Sequence, residues 1–541
     1  MDTSKGEENK RANFKVGLHE PSYDVMNLRH SDAVFQIGVT VHGDEVKNEA
    51  NFPKNHSIDV EMGESVYEIP NPFPFWGTTY ILKWKADEFK KNPKQFRFKR
   101  KYEDMTHEDR EILFETLIGD GIETRDGKKF TFRHLPRHIL LTLAQNSKNP
   151  RILTEIARIS CEIRLGQDNT PLGLYFEDRV QKAPVPIIHD KPLFEVVANN
   201  PCLPDDYKQV MVLNPGVQGQ NPIVGEYRTA NTHVWEYLRK NSYIPWGHYA
   251  SNMAQDAIRY SVDALSPDDI KGLRFLYYQR IYVELARSLG LTPVEPNGDD
   301  EKLEDLRLYV LDCVKKHVEM ERELKITGNL WGWNYGFGYA SSGYRLHASH
   351  QQIHNQYALV PAKTSCGMTT YTVGDLVWNH VERCSDFRPE DFFDAYIHSI
   401  LDNKRTDGTS DAPQELVIFE DENVIAYCPK AQRYQGEVHL MVKKRIGNIL
   451  EADSGTRHSL DHGILKVMKA LSALGAEMIT VFEVSKKYHR ISAGQRLFYC
   501  FLPRHEDSPG SMSEAQGRWI TGHYPEDFAW LLREMLAELE I

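Results

Sequence analysis

Apolar and polar positions along the chain fall into runs of different period. EDREILFETLIGDG (108–121) has apolar residues three and four apart and stops at glycine, which predicts an amphipathic helix. RHILLTLAQNSKNPRILTEIARISCEIRLG (137–166) predicts one or two more. From Pro192 the pattern turns β-rich. PLFEVVANNPCLP (192–204) and KQVMVLNPG (208–216) predict short strands. Ser266-Pro267-Asp268-Asp269 is a helix start, serine as N-cap and proline at the first position, and the helical spacing continues to Leu289. Residues 299–325 are charged and helical. GDLVWNHVERCSD (374–386) and PEDFFDAYIHSILDN (389–403) predict two helices, and the polar run NKRTDGTSDAPQ (403–414) predicts an internal boundary. A second β-rich unit opens with VIFEDENVIAYC (417–428), a hairpin turning at Asp421-Glu422-Asn423. GEVHLMVKK, a helix in HGILKVMKALSALG, the strands MITVFEVSK and RLFYCFLPR, and a helix from Pro525 complete it.

These runs divide the chain into five segments. Residues 1–77 form an arm ending in IPNPFPFWG, with Phe73, Phe75 and Trp76 as anchors. Residues 78–190 are mixed and mainly helical, and their basic run KKNPKQFRFKRK (90–101) reads as a solvated face rather than a phosphate site. Residues 191–365 and 414–541 are two β-rich units, joined by a helical linker, 366–413. Each unit offers strand, turn, strand, a glycine-led segment, a helix and then strands. The shared order predicts a duplicated α+β unit with antiparallel sheets, with the histidine-bearing strand central.

One stretch breaks the alternation. If 349–357 is a strand, His350, Gln352, His354 and Gln356 share one face with no apolar residue between them. A half-buried strand ordinarily alternates, and local rules tend to fail at sites. The aromatics before it, Trp331, Trp333, Tyr335, Phe337 and Tyr339, are candidates to stack on a base or to pack a loop. His347 and His350 lack a zinc-like spacing to His354.

Composition narrows the classes. A net charge of −12 argues against nucleic acid while leaving room for a local anion site. The seven cysteines are scattered and form no CxxC pair, which argues against a disulfide framework or a zinc ribbon. The polar N-terminal run and the lack of a long apolar stretch predict a cytoplasmic protein without a membrane span.

Ser349, His354 and Gln356, preceded by Asn334-Tyr335-Gly336, resemble the Ser-x-x-His-x-His-x-Gln strand and Asn-x-Gly segment of the galactose-1-phosphate uridylyltransferase-like family of the histidine-triad superfamily. The resemblance spans about residues 192–504. It implies two histidine-triad-like repeats, a homodimer, and a nucleotidyltransferase or phosphorylase. His354 would be the nucleophile carrying a histidyl-nucleotide, with Gln356 and Ser349 donating to phosphate. Asn199 and Asn200, Asn334, Gly336, His350 and Gln352 would line the nucleotide site. The implied substrates are a nucleotide donor (a nucleoside diphosphate sugar, a dinucleoside polyphosphate or an adenylyl sulfate) and a phosphate or sugar-phosphate acceptor. Two departures agree with each other. Gln352 stands where the family has its first histidine, and the CxxC pair that shares a metal with it in some relatives is absent. No tightly bound metal is therefore expected, only magnesium arriving with the nucleotide. Two readings compete: a nucleotide-binding sensor or scaffold without turnover, and a hydrolase, which Gln356 in place of a third histidine disfavours.

Overall fold

The computed structural model describes residues 66–98, 131–179, 182–198, 265–336, 354–476, 478–490, 494–504 and 511–540, with residues 200, 202–212 and 262 and short pieces between 14 and 58. The helix expected over 108–121 lies outside them. Strands β1 (Val66–Pro70) and β2 (Thr78–Leu82) precede helix α1 (Lys83–Lys91). The long helical run after residue 137 divides into α2 (Arg137–Asn146) and α3 (Pro150–Ser160), because Pro150 restarts the helix behind an Asn149 cap. Two hairpins follow, β3 (Ile163–Leu165) with β4 (Pro171–Leu174), and β5 (Phe176–Arg179) with β6 (Lys182–Pro186).

The next two runs are helices, not the expected strands: α4 (Lys191–Ala198) and α5 (Asp205–Val212). Their β-branched residues suggested strands, but the same residues also have helical spacing. Leu193, Val196 and Val197, and then Tyr207, Val210 and Met211, stand three and four apart and are buried.

Helix α6 (Pro267–Ser288) begins as expected. Ser266 Oγ accepts from the Asp269 N–H at 3.1 Å, and the Asp269 carboxylate accepts from the Ser266 N–H at 2.8 Å. Most of its residues are buried all round, the mark of an interior helix. α7 (Asp300–Glu319) then leads into β7 (Ile326–Gly336) and β8 (His354–Pro361). α8 (Val373–Arg383) and α9 (Phe392–Leu401) precede β9 (Val417–Glu420), β10 (Val424–Tyr427) and β11 (Val438–Val442). α10 (Ser454–Ala473), β12 (Met478–Val484), β13 (Phe498–Pro503), α11 (Ser511–Gln516), β14 (Arg518–Thr521) and α12 (Pro525–Glu538) finish the chain.

The main sheet is antiparallel, in the order β8-β7-β12-β13-β11-β10-β9. The fold class is α+β, as expected. Among the described residues β8, which carries His354, is an edge strand and not the central one expected. The repeat is partly visible. α6 with β7-β8, separated by the extra helix α7, and α10 with β12-β13 each set a helix before two antiparallel strands, with β7 pairing β12 and α6 packing on α10. The strands expected ahead of α6 are the helices α4 and α5.

Both faces of the sheet are covered over β10, β11 and β13, so every residue of those strands is buried without alternation, His439 of β11 included. One face packs Trp331, Trp333, Val481, Tyr499 and Leu440 against α6, α10 and α12. The other packs Met441, Val484, Phe498 and Cys500 against α8, α9, Phe73 and Trp76. Phe73 and Trp76 thus anchor the arm, while Phe75 is partly exposed. β2, just after the arm, pairs parallel with β14, and Trp519 Nε1 donates to the Trp76 carbonyl at 2.6 Å, tying the end of the arm to the far end of the chain. The polar run 403–414 is not an open boundary. Its Arg405 is buried on Asp527 of α12, at 2.6 and 2.7 Å.

Arg274 of α6 binds these parts together. It is 1% exposed. Its Nε donates to Asp461 of α10 at 2.9 Å, and one terminal nitrogen donates to the hydroxyls of Tyr278 and Tyr499, each at 2.8 Å. Its guanidinium lies 4.5 Å from the Trp331 ring centre. Beside it, Glu483 accepts from Tyr499 at 2.6 Å and from Asn329 at 2.8 Å. Replacing Arg274 with methionine leaves Asp461 buried without its cation. The expected cost is about 3–5 kcal/mol, read as a drop in urea-unfolding stability, and a loss below about 1 kcal/mol contradicts the role assigned to it.

Candidate active site

The face opposite α6 and α10 is covered over β11 and β13 but opens over β7 and β12. There Leu330 is 48% exposed, and Thr480 and Phe482 are half-buried. Of the residues singled out in the sequence, the backbones of Asn334, Gly336, His354 and Gln356 lie along this part of the sheet.

Residues directly opposite in an antiparallel pair lie on one face. His354 is opposite Asn334, which is opposite Thr480, which is opposite Leu502. The next row runs Gln356, Gly332, Phe482, Cys500, His439, Tyr427. Two segments 20 residues apart in sequence, Asn334-Tyr335-Gly336 and the histidine strand, are thus neighbouring strands. For His354, Gln356, Asn334 and Gly336 the described geometry is that of the backbone. Ser349, His350, Gln352, His347 and Asn199 lie outside the described residues, as do Phe337 and Tyr339.

Other expectations are corrected. Asn200 is 2% exposed. Its amide donates to the carbonyls of Ala144 at 2.8 Å and Ser147 at 2.9 Å, and its oxygen accepts from the Cys202 N–H at 2.8 Å. It ties the end of α4 to α2. Trp331 and Trp333 do not present rings to a ligand, since both are buried on the helix-covered face. The described part of the basic run after residue 90 is a solvent face, as expected: Lys91, Lys94 and Arg97 are exposed, with Lys94 on Glu534 at 2.7 Å and the half-buried Lys90 on Asp407 at 2.9 Å.

A buried polar group further along the second row was not anticipated. Arg433 pairs with Glu437 and lies 4.0 Å from the Trp76 ring centre. His439 Nε2–H donates to Glu437 Oε1 at 2.9 Å, which fixes the tautomer, and Nδ1 faces the Tyr427 hydroxyl at 3.3 Å. Burial pushes the His439 pKa below its ordinary value against the pull of Glu437, so the ring is neutral near pH 7. Burial also pushes the Cys500 thiol well up. Glu437, His439 and Cys500 hold their ligating atoms within 4.8 Å of one another, a donor set that could take a metal. Arg433 already occupies the carboxylate, supplying the positive charge a metal would bring. The sequence signal was weak, because Cys500 lies some sixty residues from Glu437-Val438-His439 and only the β11–β13 register brings them together.

Glu437 gives a pH test. Burial alone would raise its pKa, but Arg433 beside it and the His439 hydrogen bond bring it down to about 2. The folded value lies below the ordinary 4.5. Its contribution to stability is therefore complete above that value and is lost as pH falls towards 2. Glu437→Gln should flatten the acid limb of denaturant-derived stability between about pH 5 and 3. An acid limb as steep as that of the unaltered protein contradicts this.

No protein-family model matches the chain, and no curated protein matches it. Solved structures show partial likeness at low identity. A GalT-like protein from Arabidopsis thaliana is 12% identical, with a TM-score of 0.30, over 44% of this chain and 69% of that one. An ADP-glucose phosphorylase from Arabidopsis thaliana with bound ADP-glucose is 13% identical, with a TM-score of 0.30, over 44% of this chain and 66% of that one. A uridylyltransferase is 13% identical, with a TM-score of 0.30, over 43% of this chain and 68% of that one.

Proposed function

We propose that the protein moves a nucleoside monophosphate from a nucleotide donor to a phosphate or sugar-phosphate acceptor, through a covalent histidyl-nucleotide on His354. The observation that carries this reading is the register. The Asn334 segment and the histidine strand, matched to one motif by sequence, lie side by side, with Asn334 opposite His354 and Gly332 opposite Gln356. Their face is open to a ligand at Leu330 and half-open at Thr480 and Phe482.

The chemistry follows from the residue types. A neutral imidazole nitrogen attacks the α-phosphorus. An N–P bond forms, and the bond to the leaving phosphate oxygen breaks with its electron pair. In the second half the acceptor's phosphate oxygen attacks the same phosphorus and the imidazole leaves. A glutamine amide two residues on can donate to a phosphate oxygen but cannot pass a proton to or from water, which favours an acceptor other than water. Ser349 supplies a hydroxyl donor in this scheme. Magnesium accompanies the nucleotide as a charge partner of its phosphates. No helix among the described residues is long and apolar enough to cross a membrane.

His354→Asn keeps size and polarity but removes the nucleophile. Turnover should fall by roughly 10⁴- to 10⁶-fold while nucleotide binding survives. Gln356→Ala removes a donor to the transferring group, so the rate should fall roughly 10²- to 10³-fold, with labelling slowed but not abolished. The readout is isotope transfer from α-labelled nucleotides, sugar nucleotides and dinucleotides to protein, with peptide mapping. Turnover without label on His354, or normal turnover in His354→Asn, overturns the mechanism.

A further inference from the structure

The second β-rich unit brings an arginine to the row that contains position 354. Arg504 directly follows β13, and its backbone N–H is held by the Met478 carbonyl at 2.7 Å. Its Nε donates to Thr480 Oγ1 at 3.0 Å. Its guanidinium lies 4.5 Å from the centre of the Tyr434 ring, which stacks on Trp519 with centroids 6.0 Å apart and planes 27° apart. The head group is thus fixed by one hydrogen bond and one ring face. Neither contact uses the terminal nitrogens.

Arg504 differs from the other arginines around this face. Arg433 is paired with Glu437, and Arg496 with Asp394 at 2.5 Å. Arg445 is paired with Asp394 at 2.7 Å. Among the described residues Arg504 has no carboxylate partner; its contacts are Thr480 and Tyr434. In a chain of net charge −12, a half-buried guanidinium with no anion beside it among the described residues is a local positive site. Its terminal N–H groups are arranged to grip phosphate with two parallel hydrogen bonds.

We propose that Arg504 holds the phosphate of the substrate that is not transferred, resting on the reading of His354 as the residue that takes up the nucleotide. Thr480 is two strands from position 354 in the same row, about 10 Å away at the usual strand spacing. A substrate with a pyrophosphate link, its α-phosphorus at the β8 side of the row, directs its next phosphate towards the Arg504 side. In the first half-reaction that phosphate belongs to the leaving group. In the second it belongs to the acceptor, a phosphate or phosphate monoester. The subsite selects donors with a pyrophosphate or polyphosphate link, and it forms no bond to the substrate other than hydrogen bonds.

The test uses inorganic pyrophosphate, titrated by calorimetry into the full chain and its variants. Arg504→Gln should weaken pyrophosphate binding roughly 10- to 100-fold, the worth of charged hydrogen bonds, with the thermal midpoint nearly unchanged. Arg504→Lys should recover part of the loss through charge without the fork. Thr480→Val, which removes the Nε acceptor, should give a smaller loss in the same direction and serves if Arg504→Gln folds poorly. Absent binding by the unaltered protein, or unaltered binding by Arg504→Gln, overturns the subsite. Label transfer to His354, followed in parallel, separates the two ideas. Label on His354 with Arg504-independent pyrophosphate binding removes the subsite alone. Arg504-dependent binding with no label removes the nucleotidyl-transfer reading and leaves an anion site.

Discussion

A single buried guanidinium, that of Arg274, touches both halves of the sheet. It is bonded to Asp461 on one helix and Tyr499 on one strand, and it is stacked on Trp331 of another strand. A charge taken out of water is tolerable only when its partners are in place, so the position of α6 and α10 relative to β7 and β13 is strongly constrained. The Glu483 carboxyl, accepting from Tyr499 and Asn329, extends the same constraint along β7 and β12. The antiparallel pairing of β7 with β12 lies directly above this network. That pairing decides which residues share the opposite face.

The consequence is a division of labour between the two faces. On the helix side, aromatic rings and buried charges lock the junction. On the other, α8 and α9 cover β11 and β13 but stop short of β7. Glycine at 328 and 332 leaves the floor there low, and among the described residues a Cβ at 332 would meet the Val481 carbonyl at 3.6 Å. The open area is bordered by the backbone of the histidine strand on one side and by Thr480, Arg504 and Tyr434 on the other. Each border comes from a different half of the chain.

Where a sequence signal rested on local chemistry, it was legible. The Ser266–Asp269 cap, the hairpin at 421–423 and the helix from Pro525 all form where their turn and cap residues indicate. The resemblance assigned Asn334 and His354 to one site, and the register sets them opposite one another on neighbouring strands, a pairing the sequence reading did not state. Signals failed where burial chose between two periods that the same residues satisfy, as in α4 and α5. They failed also where polarity was mistaken for exposure. Arg405 and Asp527 are buried because each neutralises the other. Trp331 and Trp333 looked available because glycines surround them, yet alternation along β7 puts the rings on one face and the glycines on the other. Arg433, Glu437, His439 and Cys500 meet through strand pairing that no local pattern encodes.

The role of His354 depends most on the transfer occurring in two displacements at one phosphorus, first by His354 and then by the acceptor. The stereochemical course decides this directly. A donor chiral at the α-phosphorus through sulfur substitution is turned over, and the configuration of the product is determined. Two in-line displacements give net retention, which is the result expected here. Net inversion would mean one direct displacement without a covalent intermediate, and would contradict the role assigned to His354.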